Sequence, residues 1–239
     1  MLAPLTRGIR SLLFPPACAG CGRPLESLEQ EPLCRDCLSL LPVSRPPWCR
    51  RCGLSLAQQG AGADLCVDCR LHPPAFDQAV SPFLYKGPVK ELITALKYQG
   101  RISLGRFLAD SMARAAWEQS DLRSVDAIVP VPLHATRLRE RGFNQARILA
   151  AGLSDRVGLP CRADLMVRAR ATQPQTELSR EERRENLRGA FAAAASSLPG
   201  HSFLLVDDVL TTGATIRACS EALRRAGAAR ILVITAARG

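Results

Sequence analysis

Apolar residues recur along this chain with two different periods, and each change of period marks an element. Residues 204–206, Leu-Leu-Val, form a short continuous apolar run that reads as a buried strand, and residues 216–226 return apolar side chains at helical spacing. Residues 127–132, Ala-Ile-Val-Pro-Val-Pro, read as the first strand of a parallel sheet, ended by proline. Ahead of it, residues 76–85 read as an extended segment that offers Phe76, Val80, Phe83 and Tyr85 for packing. Lys86-Gly87-Pro88 then breaks the chain and starts a helix over residues 89–98, with Leu92, Ile93 and Leu96 on one face. Residues 103–117 carry the stripe Leu104, Phe107, Leu108, Met112 and Ala115, and residues 146–157 form another apolar helix. Strands alternating with helices predict an α/β domain with helices on both faces of a parallel sheet.

The first third follows neither period. Eight of the ten cysteines fall into four pairs with a two-residue gap: Cys18/Cys21, Cys34/Cys37, Cys49/Cys52 and Cys66/Cys69. That gap lets two thiolates reach one tetrahedral ion, often across a glycine-bearing turn such as Cys21-Gly22 or Cys52-Gly53. A disulfide framework would need an oxidising compartment that nothing else in the chain supports. The expectation is a small zinc-ribbon-like module over residues 1–72 holding one or two structural Zn²⁺ ions, followed by an α/β domain over residues 73–239, with Pro73-Pro74 at the boundary. The segments between pairs are too similar in length to separate pairing in order from a cross-braced arrangement. His72 reads as a bystander, and the lone Cys161 and Cys219 as small core residues.

Asp207-Asp208 stand at the carboxyl end of the predicted strand, and Thr211-Thr212-Gly213-Ala214-Thr215 form a small-residue turn that opens onto the next helix. Backbone N–H groups freed at a helix start converge on an anion. Gly213 lets the main chain approach, and the threonine hydroxyls add donors. Two adjacent carboxylates suit vicinal ribose hydroxyls or a metal ion beside them. Helix capping alone explains single acids or threonines but not this combination. The stretch resembles the phosphoribosyl-diphosphate (PRPP) motif of type I phosphoribosyltransferases.

Two polar segments carry further candidates. Residues 137–145, Arg-Leu-Arg-Glu-Arg-Gly-Phe-Asn-Gln, read as a loop after the first sheet strand. There Arg137, Arg141 and the amides of Asn144 and Gln145 are suited to a diphosphate. Residues 172–188 fit either a charged face, with arginines paired to Glu181, Glu182 and Glu185, or a hood that closes over a bound diphosphate. Lys97-Tyr98 lies near a glycine and fits either a ligand contact or, as the preferred reading, a solvated lysine at a helix end.

Composition narrows the class. The 239 residues have 47% hydrophobic and 23% charged content, and no apolar run approaches bilayer-spanning length. Residues 1–14 read as an amphipathic lead-in and not as a signal peptide, so a cytoplasmic location is expected. The net charge is +10, with 8 basic and 6 acidic residues up to Arg70 against 24 and 16 beyond it. Thiolate zinc sites would turn the first module slightly negative, so the basic surplus belongs to the second domain. It suits polyphosphates or a nucleic-acid backbone, while 5% aromatic residues give no evident stacking platform.

The four cysteine pairs, Ala95-Leu96-Lys97-Tyr98, Arg141-Gly142-Phe143-Asn144-Gln145, the Gln175/Leu178-Ser179/Arg183/Asn186 pattern and the PRPP-like motif occur in this order. Together they resemble the ComF family, with its ComFC-like and GntX-like members, over nearly the whole chain. The resemblance implies a zinc module fused to a type I phosphoribosyltransferase-like domain. It also implies cytoplasmic handling of incoming single-stranded DNA during natural transformation or DNA utilisation, with uptake-machinery components as partners that could hold it at the inner membrane. By motif, Asp207 and Asp208 would hold ribose hydroxyls, Thr211, Thr212, Gly213, Ala214 and Thr215 the 5′-phosphate of PRPP or a phosphoribosyl nucleotide, and Arg141 and Asn144 the diphosphate with Mg²⁺. Thr211 stands where purine-salvage relatives often carry an acid, so an obvious general base is absent. A non-catalytic PRPP- or nucleotide-sensing scaffold and a salvage transferase with another acceptor are the alternatives.

Overall fold

The structure is a computed structural model that describes residues 17–25, 32–57, 63–118, 124–170, 182, 186–194 and 198–239. The cysteine-rich part contributes two single-turn helices, α1 (Arg35–Ser39) and α2 (Val67–Leu71), each beginning just after a cysteine. The α/β part follows as β1 (Gln78–Val80), β2 (Phe83–Leu84), α3 (Gly87–Tyr98), α4 (Leu104–Glu118), β3 (Ala127–Pro130), α5 (Ala135–Arg141) and α6 (Gln145–Val157). It is completed by β4 (Met166–Arg168), β5 (Phe191–Ala193), β6 (Ser202–Leu210), α7 (Ala214–Arg225) and β7 (Arg230–Arg238).

The main sheet is parallel, in the order β1-β7-β6-β3, with β2 also pairing β7, while β4 and β5 form a separate antiparallel pair. Its strands are buried on both faces, and alternate residues serve different layers. Ile128, Leu204, Val206, Leu232 and Ile234 pack with α3, α4 and α6, whereas Val129, Phe203, Leu205, Ile231 and Val233 pack with α7 and the β4–β5 pair. A parallel sheet covered on both sides is what continuous apolar strands imply. On the first face α4 and α6 approach closely because glycine leaves room. A Cβ on Gly105 would lie 2.5 Å from Ile148 Cγ2, and one on Gly152 would lie 2.8 Å from Ala109 Cβ.

The two cysteine groups straddle this sheet. Cys18, Leu33 and Cys37 join the core that contains α3, α4 and α6, while Cys49, Cys52, Leu56, Cys66 and Cys69 join the core on the α7 face. The second group also covers the sheet edge, where the Ala79 N–H of β1 donates to the Arg51 carbonyl at 2.8 Å.

Three expectations change. Residues 127–132 do not supply the first strand: β1 and β2 precede it in the same parallel sheet, and β3 ends at Pro130. Residues 137–145 are not a loop throughout. Arg137 to Arg141 belong to α5, whose start is capped by His134 and whose end is Gly142 in the left-handed region at φ 80°. The run of arginine, leucine and glutamate has good helix propensity, and this prevails over the place after a strand that suggested a loop. The strand expected over 204–206 is longer and continues to Leu210. Of residues 172–188, only 182 and 186–188 are among the described residues.

Candidate functional site

The site assembles at the carboxyl end of the sheet, where β6 outruns β3. The last β3 pair is Pro130 with Val206, but β6 goes on to pair Asp207, Val209 and Leu210 with Thr235, Ala237 and Arg238 of β7. Asp207 and Asp208 therefore lie within a strand that has a ladder partner on one side only, and both are buried. The Asp207 carboxylate accepts the Asp208 backbone N–H at 2.9 Å. Burial, reinforced by the charge of Asp208, raises the Asp207 carboxyl well above the ordinary carboxylate range.

Asp208 has a partner that the sequence pattern did not supply. The Lys97 ammonium, at the end of α3, forms an ion pair with its carboxylate. Burial works against the lysine charge, but Asp208, with Asp207 and Tyr85 behind it, outweighs burial and holds the Lys97 pKa above its usual value. Lys97 is thus part of the site and not a solvated helix end. Two carboxyls with one lysine, one of them held toward its neutral form, suit hydroxyl ligands better than a bare pair of anions would.

Beyond Leu210, Thr211 is exposed, Thr212, Gly213 and Thr215 are partly exposed, and Ala214 is buried. Gly213 occupies the N-cap position of α7 with φ 78°, a left-handed conformation that non-glycine residues adopt only with strain. The Thr212 hydroxyl faces the Ala214 N–H at 3.5 Å. An accessible loop of small residues at the start of a twelve-residue helix is the geometry expected of an anion cradle.

Arg141 and Asn144 belong to the same end of the fold. Asn144 Nδ2 donates to the Val131 carbonyl at 2.9 Å, and the Val131 N–H donates to Val206 O at 2.9 Å, next to Asp207. Asn144 Oδ1 accepts the Ala146 N–H, so this side chain caps α6 and ties it to the end of β3. Arg141 lies over the Tyr98 ring at 5.2 Å and donates to Gln145 Oε1 at 2.5 Å. A guanidinium has five N–H donors, so these contacts leave capacity for a ligand. Tyr98 follows Lys97, and this brings Arg141 to the neighbourhood of the Lys97–Asp208 pair.

The cysteines resolve into two groups paired in order along the chain. Cys18, Cys21, Cys34 and Cys37 form one and Cys49, Cys52, Cys66 and Cys69 the other, with the sulfurs of each group within 4.8 Å of one another. Cys21–Cys34 and Cys52–Cys66 are 3.8 and 3.7 Å apart, far beyond a disulfide bond. A tetrahedron with Zn–S bonds of about 2.3 Å has edges of about 3.8 Å, so the donor set and spacing fit structural zinc. Backbone donors assist: the Gly20 and Cys34 N–H groups point at Cys18 Sγ at 3.4 and 3.3 Å. Burial opposes thiolate formation at Cys49, but the surrounding backbone N–H groups prevail and lower its pKa to about 7. Burial and the charges of the other cysteines push the Cys69 thiol up. A divalent ion supplies the positive charge that four crowded sulfurs need.

Sequence reasoning missed three cationic residues. Besides Lys97, these are Arg217, which bonds Asp68 Oδ2 at 2.9 Å, and Arg238, which donates to the Leu210 and Thr211 carbonyls, each at 2.7 Å. Their partners are remote in sequence, so no local spacing signals them. Cys219 is fully buried as expected, while Cys161 is only partly buried.

Comparison with known proteins matches residues 9–70 to a double zinc ribbon domain and residues 107–239 to a phosphoribosyl transferase domain. Over 211 residues the chain is 35% identical to competence protein F of Haemophilus influenzae, covering 86% of this chain and 90% of that protein. It is 32% identical to the DNA utilization protein YhgH of Salmonella typhimurium, covering 93% and 96%. It is 29% identical to competence protein ComFC of Bacillus subtilis, covering 83% and 80%.

Proposed function

The chain belongs to the ComF family, a double zinc ribbon joined to a phosphoribosyl transferase domain, and on that footing we propose that it binds PRPP or a phosphoribosyl nucleotide and serves DNA uptake or utilisation. The observation that carries this proposal is the buried Asp207-Asp208 pair opening directly onto the glycine-capped start of α7. Amides and hydroxyls of residues 211–215 take the 5′-phosphate, and the two acids orient the vicinal ribose hydroxyls. Lys97 holds Asp208 in place and balances its charge. Arg141 faces the diphosphate, and Asn144 positions Arg141 by fixing the start of α6 to β3.

The reaction such a site supports is displacement at the anomeric carbon. The bond to the diphosphate oxygen breaks, positive charge develops on the ribose, and an acceptor atom forms the new bond. Mg²⁺, bound with the diphosphate beside the two acids, would add charge neutralisation for the departing group. The chain's own contribution is position and charge. A sensing or scaffolding role is favoured by one specific feature: residues 209–215 contain no further acid to serve as a general base for an acceptor.

Supporting a role beside DNA are the names of the relatives and the basic excess of the second domain. Single-stranded DNA and uptake-machinery components are the proposed partners, and the proposed location is the cytoplasm, at the inner membrane only through those partners. No described helix is long and apolar enough to cross a membrane. Incubating the zinc-loaded protein with PRPP, Mg²⁺ and separate acceptor candidates tests the transferase reading. Diphosphate released with one acceptor supports it, and tight binding without release under every acceptor supports the sensor.

A further inference from the structure

The phosphate loop is fastened to the second cysteine tetrad from both of its ends. Arg238 lies in β7 opposite Leu210 and is 8% exposed. Its Nη1 donates to the Leu210 and Thr211 carbonyls, each at 2.7 Å, and its Nε donates to the Cys52 carbonyl at 3.0 Å. Its Nη2 lies 3.8 Å from Cys52 Sγ, a member of the tetrad. On the far side of the loop, Arg217 is one turn into α7. It bonds Asp68 Oδ2 at 2.9 Å and the His72 carbonyl at 2.7 Å. Asp68 sits between Cys66 and Cys69 in the short helix that presents both sulfurs.

The first tetrad supplies an internal comparison. Arg23 also reaches sulfur there, with Nε 3.4 Å from Cys21 Sγ and Nη2 3.8 Å from Cys34 Sγ, and it pairs with Asp36. That guanidinium is 61% exposed, and these partners all lie within its own ribbon. The two arginines thus make similar contacts to sulfur, but only Arg238 also grips the loop.

The physics of the Arg238 contacts favours a role for the loop. A cradle for an anion needs N–H groups facing inward and carbonyls facing away. One charged fork holding the Leu210, Thr211 and Cys52 carbonyls enforces that orientation at the loop's entrance. A tetrathiolate around Zn²⁺ carries net negative charge, so a guanidinium 3.8 Å from Cys52 Sγ is electrostatically matched to the closed tetrad.

We propose that Arg238 is a positioning residue that ties the phosphate loop to the second zinc tetrad, so that the loop keeps its anion-receiving shape only while that tetrad is closed. The inference rests on residues 211–215 being a phosphate cradle, but its test does not use a ligand. Hydrogen exchange of residues 208–215 is compared in the intact, metal-loaded wild type, Arg238→Gln, Arg238→Lys and Arg23→Gln. The cobalt-substituted forms report the Co–thiolate absorption bands. Both Arg238 variants are expected to raise exchange in the loop about tenfold or more and to shift a cobalt–thiolate band. Arg23→Gln is expected to shift a band while leaving loop exchange at the wild-type rate. Lysine keeps the charge and helps folding but cannot span three carbonyls, so Arg238→Lys decides the matter if the glutamine variant does not fold. Loop exchange at the wild-type rate in Arg238→Lys overturns the proposal. Failure of the wild type to bind ribose 5-phosphate would instead count against the proposed function and leave this coupling standing.

Discussion

The Lys97 ammonium and the Asp208 carboxylate form an ion pair that joins the end of α3 to the carboxyl-terminal part of β6, with side chains only 20% and 5% exposed. An exposed pair of this kind contributes little, but a buried carboxylate deprived of its partner keeps its desolvation cost without the compensating attraction. Replacing Lys97 with methionine should destabilise the protein by about 3 kcal/mol. Combining Lys97→Met with Asp208→Asn should recover most of that loss. Urea denaturation of the two single variants and the double variant checks the coupling, and additive losses would show that the pair does not interact.

Asp207 makes a prediction of opposite sign. Burial first, then the Asp208 charge, raises its folded pKa above the unfolded value of about 3.9. Such a group contributes stability that is fully present below the unfolded pKa and lost as pH rises through the folded one. Ligand-free Asp207→Asn should therefore be more stable than wild type at neutral pH, by about 1 kcal/mol or more, and the gap should shrink toward pH 4. Thermal melts of both proteins across that range measure the difference directly. The same substitution should weaken phosphoribosyl binding, since an amide replaces a carboxyl group at the ribose hydroxyls.

Close packing of α4 against α6 depends on Gly152, where an added Cβ would stand 2.8 Å from Ala109 Cβ. Gly152→Val should cost about 2 kcal/mol through overpacking. Adding a small cavity opposite, by Ala109→Gly, should restore part of it, and denaturation midpoints read both effects.

Zinc removal should act on both faces of the sheet, because each cysteine tetrad belongs to one of the two hydrophobic cores. Chelation in the folded protein should release two ions per chain and lower the unfolding temperature of the whole, not of an isolated segment. Calorimetric scans that kept a full-height transition for the chelated protein at the original temperature would contradict this.

Much of the architecture was legible because its signals are local. The four cysteine pairs announce themselves by spacing, and helices α3, α4 and α6 by apolar stripes that fall within one or two residues of the observed ends. The small-residue turn before α7 was equally plain. Other features depend on partners far along the chain. The pairing of the cysteines in order was not readable, since the intervening segments are alike, and it is fixed by which sheet face each ribbon packs on. Residues 230–238 received no assignment, although β7 is the strand flanked by β6 and β1 in the sheet. β6 extends through two aspartates only because β7 offers them a ladder. Lys97 looked like a solvated cation and Arg238 drew no reading, and their roles come from Asp208 and from the Cys52, Leu210 and Thr211 carbonyls.

The central claim is that the loop around Gly213, with Asp207 and Asp208 beside it, holds a ribose 5-phosphate group. Isothermal titration of the intact, zinc-loaded protein with PRPP and Mg²⁺, set beside the same titration of Gly213→Val, tests it most directly. The variant forces a β-branched residue into a left-handed conformation that costs about 1–2 kcal/mol. Saturable one-to-one binding by wild type, weakened at least about tenfold in the still-folded variant, is the predicted result. Absence of binding by wild type, or equal binding by both proteins, would contradict it.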